Sequence, residues 1–303
     1  MSPRLLAVLL ALGLVATGAF FVRDRLRAPA GASLARAVPL PSNARVFESE
    51  HYRIRSTAGA TNTRRVAEAV ESLYRAYGEM FPSTVAPAAS AAKLGLVLYR
   101  DQAEFKRHNR SKPWAEAYYL PPDCHAYYGD GEANPYHWML HEATHQLNDR
   151  RGRWPRRTWS NEALATYLGT SRIIEGTLRP GDIDPATYPV WWLSRIGLSG
   201  NLEEDLANRR IISLRRLLED AGPPDGSQVN RYYIGYWSLA HFLLHADGGR
   251  HARGFRRVLD EGSTLAAFER HIGPVEQVQL AWYRYLRDDL VAASDDNAIT
   301  VEL

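Results

Sequence analysis

The sequence predicts an α+β protein, in which a small N-terminal mixed sheet and its helices pack against a mostly α-helical C-terminal half. Strand-like alternation is confined to the part of the chain before Tyr136, and from there onward apolar residues recur at helical spacing. Strands followed by helices are typical of α+β folds. The chain has 303 residues, 45% of them hydrophobic and 23% charged, which is enough to bury a sizeable core.

The N-terminus carries an apolar segment that we expect to lie outside the fold. Arg4 precedes the apolar run 5–22, and residues 16–19 supply the small side chains that a signal peptidase needs. A run of about 18 apolar residues is also just long enough to span a bilayer. Residues 1–27 are therefore predicted to be a signal peptide or a single-span membrane anchor. Both place the domain outside the cytoplasm, in the periplasm or on the inner membrane.

Residues 28–47 begin with a stretch rich in Ala, Pro, Gly and Ser, which is typical of a linker. Residues 48–174 are predicted to form the core of the protein. Its predicted strands are 51–56, 93–99, 115–120 and 125–128, and its first two helices are 62–80 and 102–108. The last two strands are separated by Pro-Pro-Asp, so we expect them to pair across a turn.

The remainder of the chain is predicted to be helical. The helices are expected near 136–149, 160–174, 186–196, 212–220, 229–246, 250–261, 264–271 and 275–291. We assign 175–291 to a helical subdomain that closes a cleft against the core, and 292–303 to a loose tail.

Charge and cysteine content exclude several classes of function. The net charge is only +3, and the single dense basic run, within 150–157, has few aromatic residues beside it, so nucleic-acid binding is not expected. Cys124 is the only cysteine, so neither an internal disulfide nor a Cys-rich metal site can form. The oligomeric state is not predicted.

Residues 141–145 read His-Glu-Ala-Thr-His and carry the strongest functional signal. On a helix, His141 and His145 leave the same face, so both imidazoles could bind one Zn²⁺ ion. Glu142 lies about 100° around the helix from His141, where it need not bind the ion. It could instead take a proton from a water molecule as general base. The spacing therefore supplies two metal ligands and a base from a single helical turn.

A third ligand must come from elsewhere, because two donors do not complete a zinc site. Glu162 is the candidate: it lies 17 residues after His145, in a segment whose apolar face predicts a second helix. A polar loop containing Gly152 and Pro155 separates the two predicted helices and allows them to pack side by side. His137, His241 and His245 are interpreted as surface or packing residues.

The two segments together resemble the zinc core of gluzincin metallopeptidases. His-Glu-Ala-Thr-His-Gln at 141–146, followed by Trp-Ser-Asn-Glu-Ala-Leu-Ala-Thr-Tyr at 159–167, is similar to the aminopeptidase N-like family. It is still more similar to bacterial peptidase-MA-like proteins of unknown function. The resemblance implies a zincin-like fold, Zn²⁺ as cofactor and a peptide or protein as substrate.

The same resemblance implies a tyrosine that stabilises the transition state, in the form Tyr-x-x-Gly at the start of a late helix. Tyr232 fits that register best, and Tyr233 and Tyr236 are the alternatives. Two departures from the family are visible. The segment 131–134 lacks the amine-reading motif of the aminopeptidases, and Thr166 stands where the thermolysin-like branch has an Asp.

The sequence thus predicts a zinc-dependent peptidase with His141, His145 and Glu162 as ligands, Glu142 as general base and Tyr232 as the oxyanion donor. Two alternatives remain open. One is a non-catalytic cell-envelope binding or assembly module that retains a zinc site, and the other is a hydrolase of cell-wall peptide amides. Substrate preference, and endopeptidase versus exopeptidase action, are not predicted.

Overall fold

The computed structural model of the chain describes residues 41–82, 92–219 except 112, 114, 153 and 156, and 226–292. The predicted signal peptide or anchor, and nearly all of the predicted tail, lie outside the described residues. Of the helices in the described ranges, none is both long enough and apolar enough to cross a membrane.

A mixed sheet of five strands forms the N-terminal part of the described structure. Its strands are β1 (Arg45–Glu48), β2 (Tyr52–Ser56), β3 (Leu94–Tyr99), β4 (Ala117–Leu120) and β5 (Asp123–Tyr127). They lie in the order β1-β2-β3-β5-β4, in which β2, β3 and β5 are parallel and the outer strands are antiparallel to their neighbours. The predicted α+β class and its mixed sheet are confirmed, and β4 lies at one edge.

Two helices belong to this sheet, α1 (Ala60–Met80) and α2 (Gln102–His108). Helix α1 buries Val66, Val70, Leu73 and Tyr77, which recur every three or four residues and so form one apolar face. Helix α2 begins at an Asp101 cap, whose side chain accepts a hydrogen bond from the Glu104 amide.

The predicted pair of helices around the motif is present. Helix α3 (His137–Leu147) continues into a π-helical turn (Asn148–Gly152), and α4 (Thr158–Gly169) follows after the loop. Helix α4 packs against α3 on one side and against the long helix α7 (Val229–Gly249) on the other. The two segments of the motif therefore lie next to each other in the interior of the molecule.

The predicted helix 160–174 is too long, and the expectation of uninterrupted helix after Tyr136 is wrong. Strands β6 (Ser171–Ile174) and β7 (Thr177–Ile183) form an antiparallel hairpin directly after α4. Glu175 and Gly176 make its turn, both at positive φ, a conformation that glycine adopts without strain. The boundary predicted between 174 and 175 therefore falls within a hairpin.

The remaining helices match the prediction in part. Among the described residues the α-helices are α5 (Leu202–Ala207), α6 (Leu214–Leu218), α7, α8 (Ala252–Asp260), α9 (Leu265–His271) and α10 (Val275–Tyr285), and α10 continues into a π-helix (Leu286–Val291). Helix α5 was not predicted, and the predicted helix 186–196 is a 3-10 helix over Val190–Arg195. The predicted linker 28–47 extends too far, because β1 begins at Arg45 and pairs with β2.

One apolar cluster runs through both halves of the chain. It includes Leu96 of β3, Leu140 of α3, Leu164 of α4 and Leu239 of α7, none of them more than 1% exposed. Because these side chains come from elements far apart in sequence, burial of apolar surface fixes the sheet, the motif helices and α7 relative to one another.

Candidate metal centre

Three side chains from α3 and α4 converge on one point. His141 Nε2 and His145 Nε2 lie 3.1 Å apart. Glu162 Oε2 lies 3.5 Å from His141 Nε2 and 3.6 Å from His145 Nε2. The two histidines come from successive turns of α3, as their spacing predicts, and the carboxylate reaches them from the facing helix.

These distances match the donor set of a zinc ion. Donors held at about 2.05 Å in tetrahedral geometry lie about 3.3–3.4 Å apart, close to the three separations between the donor atoms. A point about 2.0 Å from all three atoms exists, which is the length of a zinc–nitrogen bond. Glu162 Oε2 is buried and has no hydrogen-bond partner in the described part of the chain. A cation among the three donors would provide that missing partner.

Close packing of α3 and α4 brings the donors together. Gly169 lies so close to α3 that a Cβ atom added to it would be 3.3 Å from His141 Cβ and 3.4 Å from His141 Cα. A side chain here would press on the backbone that carries the first ligand. Glycine at this position therefore lets α4 approach α3 closely enough for Glu162 to reach both imidazoles.

Glu142 lies beside the three donors and is 8% exposed. Burial, together with the charge of Glu162, raises the pKa of its carboxyl group to about 7, although His141 and a backbone hydrogen bond from Tyr119 act in the opposite direction. Tyr119 belongs to the edge strand β4. The hydrogen bond thus connects the base predicted from sequence to the edge of the sheet.

The charges of the three donors support one another. Burial favours the neutral forms, but the carboxylates of Glu162 and Glu142 outweigh it at His141 and raise the pKa of that imidazole. Burial likewise opposes ionisation of Glu162, but His145, His141 and Tyr233 outweigh it and lower the pKa of its carboxyl group. Glu162 is therefore ionised at neutral pH, as a metal ligand must be.

The structure does not bring Tyr232 to the donor cluster. Its hydroxyl group accepts a hydrogen bond of 2.7 Å from Arg216 Nε instead. Tyr233 lies at the cluster: its ring centroid is 6.4 Å from that of His141, and its hydroxyl group hydrogen-bonds Glu162. Tyr236 packs against both tyrosine rings. The family register favoured Tyr232, but the tyrosine beside the donor cluster is Tyr233, one of the two alternatives.

Thr166 does not take over the role of the Asp that it replaces. Its hydroxyl group donates to the carbonyl oxygen of Glu162 at 2.6 Å and to that of Ala163 at 3.2 Å, within its own helix. A threonine side chain satisfied in this way does not orient a metal-binding imidazole.

The other histidines singled out in the sequence have partners of their own. His137 Nδ1 lies 2.9 Å from the carbonyl oxygen of Asn134, and burial lowers the pKa of this imidazole to about 4. His241 and His245 contact tyrosine hydroxyl groups at 2.8 and 2.6 Å. All three lie outside the donor cluster.

A second group of possible donors, Glu50, His51 and Glu71, lies beside β2 and α1. Glu71 accepts hydrogen bonds from Ser49 Oγ at 2.6 Å and from the His51 amide at 2.7 Å, and its other oxygen lies 2.7 Å from His51 Nδ1. Since these donors occupy both carboxylate oxygens, hydrogen bonding accounts for this group.

The centre thus combines three donors that could hold a cation, a buried carboxyl group with a pKa of about 7, and a phenol beside them. Sequence reasoning identified every member, with Tyr233 as an alternative to the preferred Tyr232. Comparison of the chain with models of known protein families and with curated proteins finds no match.

Proposed function

We propose that this chain is a zinc-dependent peptidase with a zincin-like, gluzincin-type centre, in which His141, His145 and Glu162 hold the ion. The observation that carries the proposal is the convergence of these three donors at 3.1–3.6 Å, with Glu142 on the adjacent face of the same helix. The three side chains would hold a zinc ion, which would supply Lewis acidity for an attacking water and the scissile carbonyl group.

The side chains divide the remaining chemistry between them. The Glu142 carboxylate accepts a proton from the attacking water and then delivers it to the nitrogen of the leaving amine. Burial raises the pKa of Tyr233 well above its usual range, so its phenol keeps its proton. With substrate bound, Tyr233 would turn that hydrogen from Glu162 to the carbonyl oxygen as this oxygen becomes negatively charged.

The edge strand β4 suits a peptide substrate. Among the described strands it pairs with β5 alone, and its residue Tyr119 hydrogen-bonds Glu142 through the backbone. A substrate in extended conformation would add to β4 as a further strand, which is a common mode of peptide recognition. The scissile bond would then lie between the edge strand and the donor cluster. The N-terminal segment 1–27 suggests that this takes place outside the cytoplasm.

The number of donors favours an enzyme over a structural zinc site. Structural zinc has four protein ligands, whereas catalytic zinc has three. In the described ranges the group around His141 contains three residues. A purely structural site would also have no use for the Glu142 carboxylate beside it. A hydrolase of cell-wall peptide amides would use the same centre and differs only in substrate.

The proposal is tested by digestion of an unfolded protein with the zinc-loaded chain. We expect cleavage that a chelator abolishes and added zinc restores. Glu142→Gln should abolish cleavage while zinc still binds, whereas Glu79→Gln, at an exposed position on α1, should leave cleavage intact. Cleavage that survives both the chelator and Glu142→Gln would rule the proposal out. Zinc binding without cleavage of any peptide would favour the non-catalytic alternative.

A further inference from the structure

We propose that a buried hydrogen-bond chain formed by Tyr77, Asn148 and Asn161 positions the Glu162-bearing helix against the helix that carries the two histidines. The inference rests on the proposed zinc centre, and it assigns these three as positioning residues for metal binding. They do not belong to the donor set and make no contact with the reacting atoms.

The chain of hydrogen bonds joins three helices. Tyr77 on α1 donates its hydroxyl hydrogen to Asn148 Oδ1 at 3.0 Å. Asn148 Nδ2 donates to Asn161 Oδ1 at 2.9 Å. Tyr77 is fully buried and Asn148 is 7% exposed, so water does not compete well for these groups.

Each asparagine lies within three residues of a proposed ligand in the sequence. Asn148 follows α3 directly, three residues after His145, and Asn161 immediately precedes Glu162 in the first turn of α4. Adjacent residues of a helix move together, so a shift of Asn161 relative to Asn148 displaces the Glu162 carboxylate relative to the imidazoles. The hydrogen bond between the asparagines therefore fixes the distance on which metal binding depends.

The start of α4 is anchored to the segment after α8 by the buried Trp159, whose Nε1 donates to the Ser263 carbonyl oxygen at 2.8 Å. Its cap residue Arg157 makes no side-chain hydrogen bond to the helix. The helix before it ends in the π-helical turn Asn148–Gly152, where regular α-helical hydrogen bonding stops. At the far end of α4 the close contact of Gly169 with His141 holds the helices together. At the end that carries Glu162, Trp159 binds a different part of the chain, and the asparagine pair links α4 to the segment that follows α3.

Tyr77 anchors this pair to the sheet layer. Its ring packs against Phe81 and Trp154, with centroid distances of 5.0 and 6.2 Å, so its position is set by the core around α1. Removing only the hydroxyl group keeps this packing but deprives Asn148 Oδ1 of its donor. The Tyr77→Phe variant therefore separates positioning from packing.

A matched control is available elsewhere in the molecule. Tyr283 is also buried, and its hydroxyl group donates to Asp205 Oδ2 at 2.6 Å in a separate apolar cluster. Tyr283→Phe and Tyr77→Phe thus make the same chemical change to a buried tyrosine whose hydroxyl group bonds a side-chain oxygen. Only Tyr77 belongs to the hydrogen-bond chain that reaches the donor cluster.

The test measures zinc affinity by competition with a chromophoric chelator, the visible absorption spectrum of the Co²⁺-substituted protein, and the free energy of unfolding of the metal-free protein. We expect Tyr77→Phe and Asn161→Ala to weaken zinc binding about tenfold or more and to change the Co²⁺ spectrum, since loss of groups that orient metal ligands costs about 10–100-fold in affinity. Asn161→Asp keeps the acceptor for Asn148 and should restore most of the affinity.

Tyr283→Phe should lower the free energy of unfolding but leave zinc affinity and the Co²⁺ spectrum unchanged. If Tyr77→Phe and Asn161→Ala change zinc affinity no more than Tyr283→Phe does, the hydrogen-bond chain contributes only to the stability of the fold, and the inference fails. If Asn161→Ala does not fold, Tyr77→Phe and Asn161→Asp decide between the same outcomes. A wild-type protein that binds no zinc would refute the proposed function itself, whereas unchanged affinity in the variants refutes only the positioning role.

Discussion

The position of Tyr233 leads to a direct test of the catalytic arrangement. The perturbation is Tyr233→Phe, which removes one oxygen from a partly buried ring beside His141 and Glu162. Loss of one donor to a developing oxyanion typically costs about 10²–10³ in kcat, or about 3–4 kcal/mol. Because this hydrogen bond strengthens only as charge develops on the substrate, we expect kcat to fall by that factor and KM to change little.

Tyr232→Phe is the matched control, one residue earlier on α7. It removes the acceptor for Arg216 Nε, a partner whose side chain is exposed, so we expect a loss of about 1 kcal/mol in unfolding free energy and no effect on kcat. The assay is steady-state hydrolysis of a fluorogenic peptide by zinc-loaded protein. A large drop in kcat for Tyr232→Phe, with Tyr233→Phe near wild type, would refute the assignment read from the structure.

Three further predictions follow from the same geometry. Gly169→Ala gains about 1 kcal/mol of helix propensity, but the added methyl group presses on His141, so we expect the unfolding free energy to change by less than about 2 kcal/mol. Zinc affinity, measured by chelator competition, should fall. Unchanged zinc affinity would contradict the argument that Gly169 allows the close packing of α3 and α4. Burial opposes ionisation of Asp205, but hydrogen bonds from Tyr283, Arg210 and Ser199 outweigh it and lower the pKa of this carboxyl group. The ionised side chain therefore stabilises the folded protein fully above pH about 4, and this stabilisation is lost as the pH falls through the folded-state pKa. Denaturant unfolding should therefore show Asp205→Asn to be less stable than the wild type by about 2 kcal/mol at pH 7 and by progressively less below pH 4. A difference in unfolding free energy that stays constant with pH would contradict a lowered pKa of Asp205. Zinc at about 100 times its Kd should add about 2.7 kcal/mol to unfolding free energy, so that chelation lowers the melting temperature of the wild type but not of His141→Ala.

The sequence alone determined the features that depend on local geometry. The four-residue spacing of His141 and His145 places both imidazoles on one helix face whatever surrounds the helix, because helical periodicity is a property of the backbone. The apolar pattern around Glu162 likewise predicted a second helix, and the structure brings its carboxylate to within 3.6 Å of both rings. The order of strands and helices was sufficient to predict the α+β class and its mixed sheet.

Only the tertiary structure decided which tyrosine lies at the centre and where the helical half is interrupted. Tyr232 and Tyr233 differ by about 100° around α7, and the rotation of that helix is set by its packing on α4. The hairpin of β6 and β7 was missed because short apolar runs fit a helix or a strand equally well until a pairing partner is known. Both outcomes depend on contacts between residues distant in sequence, whose combined burial outweighs local preference.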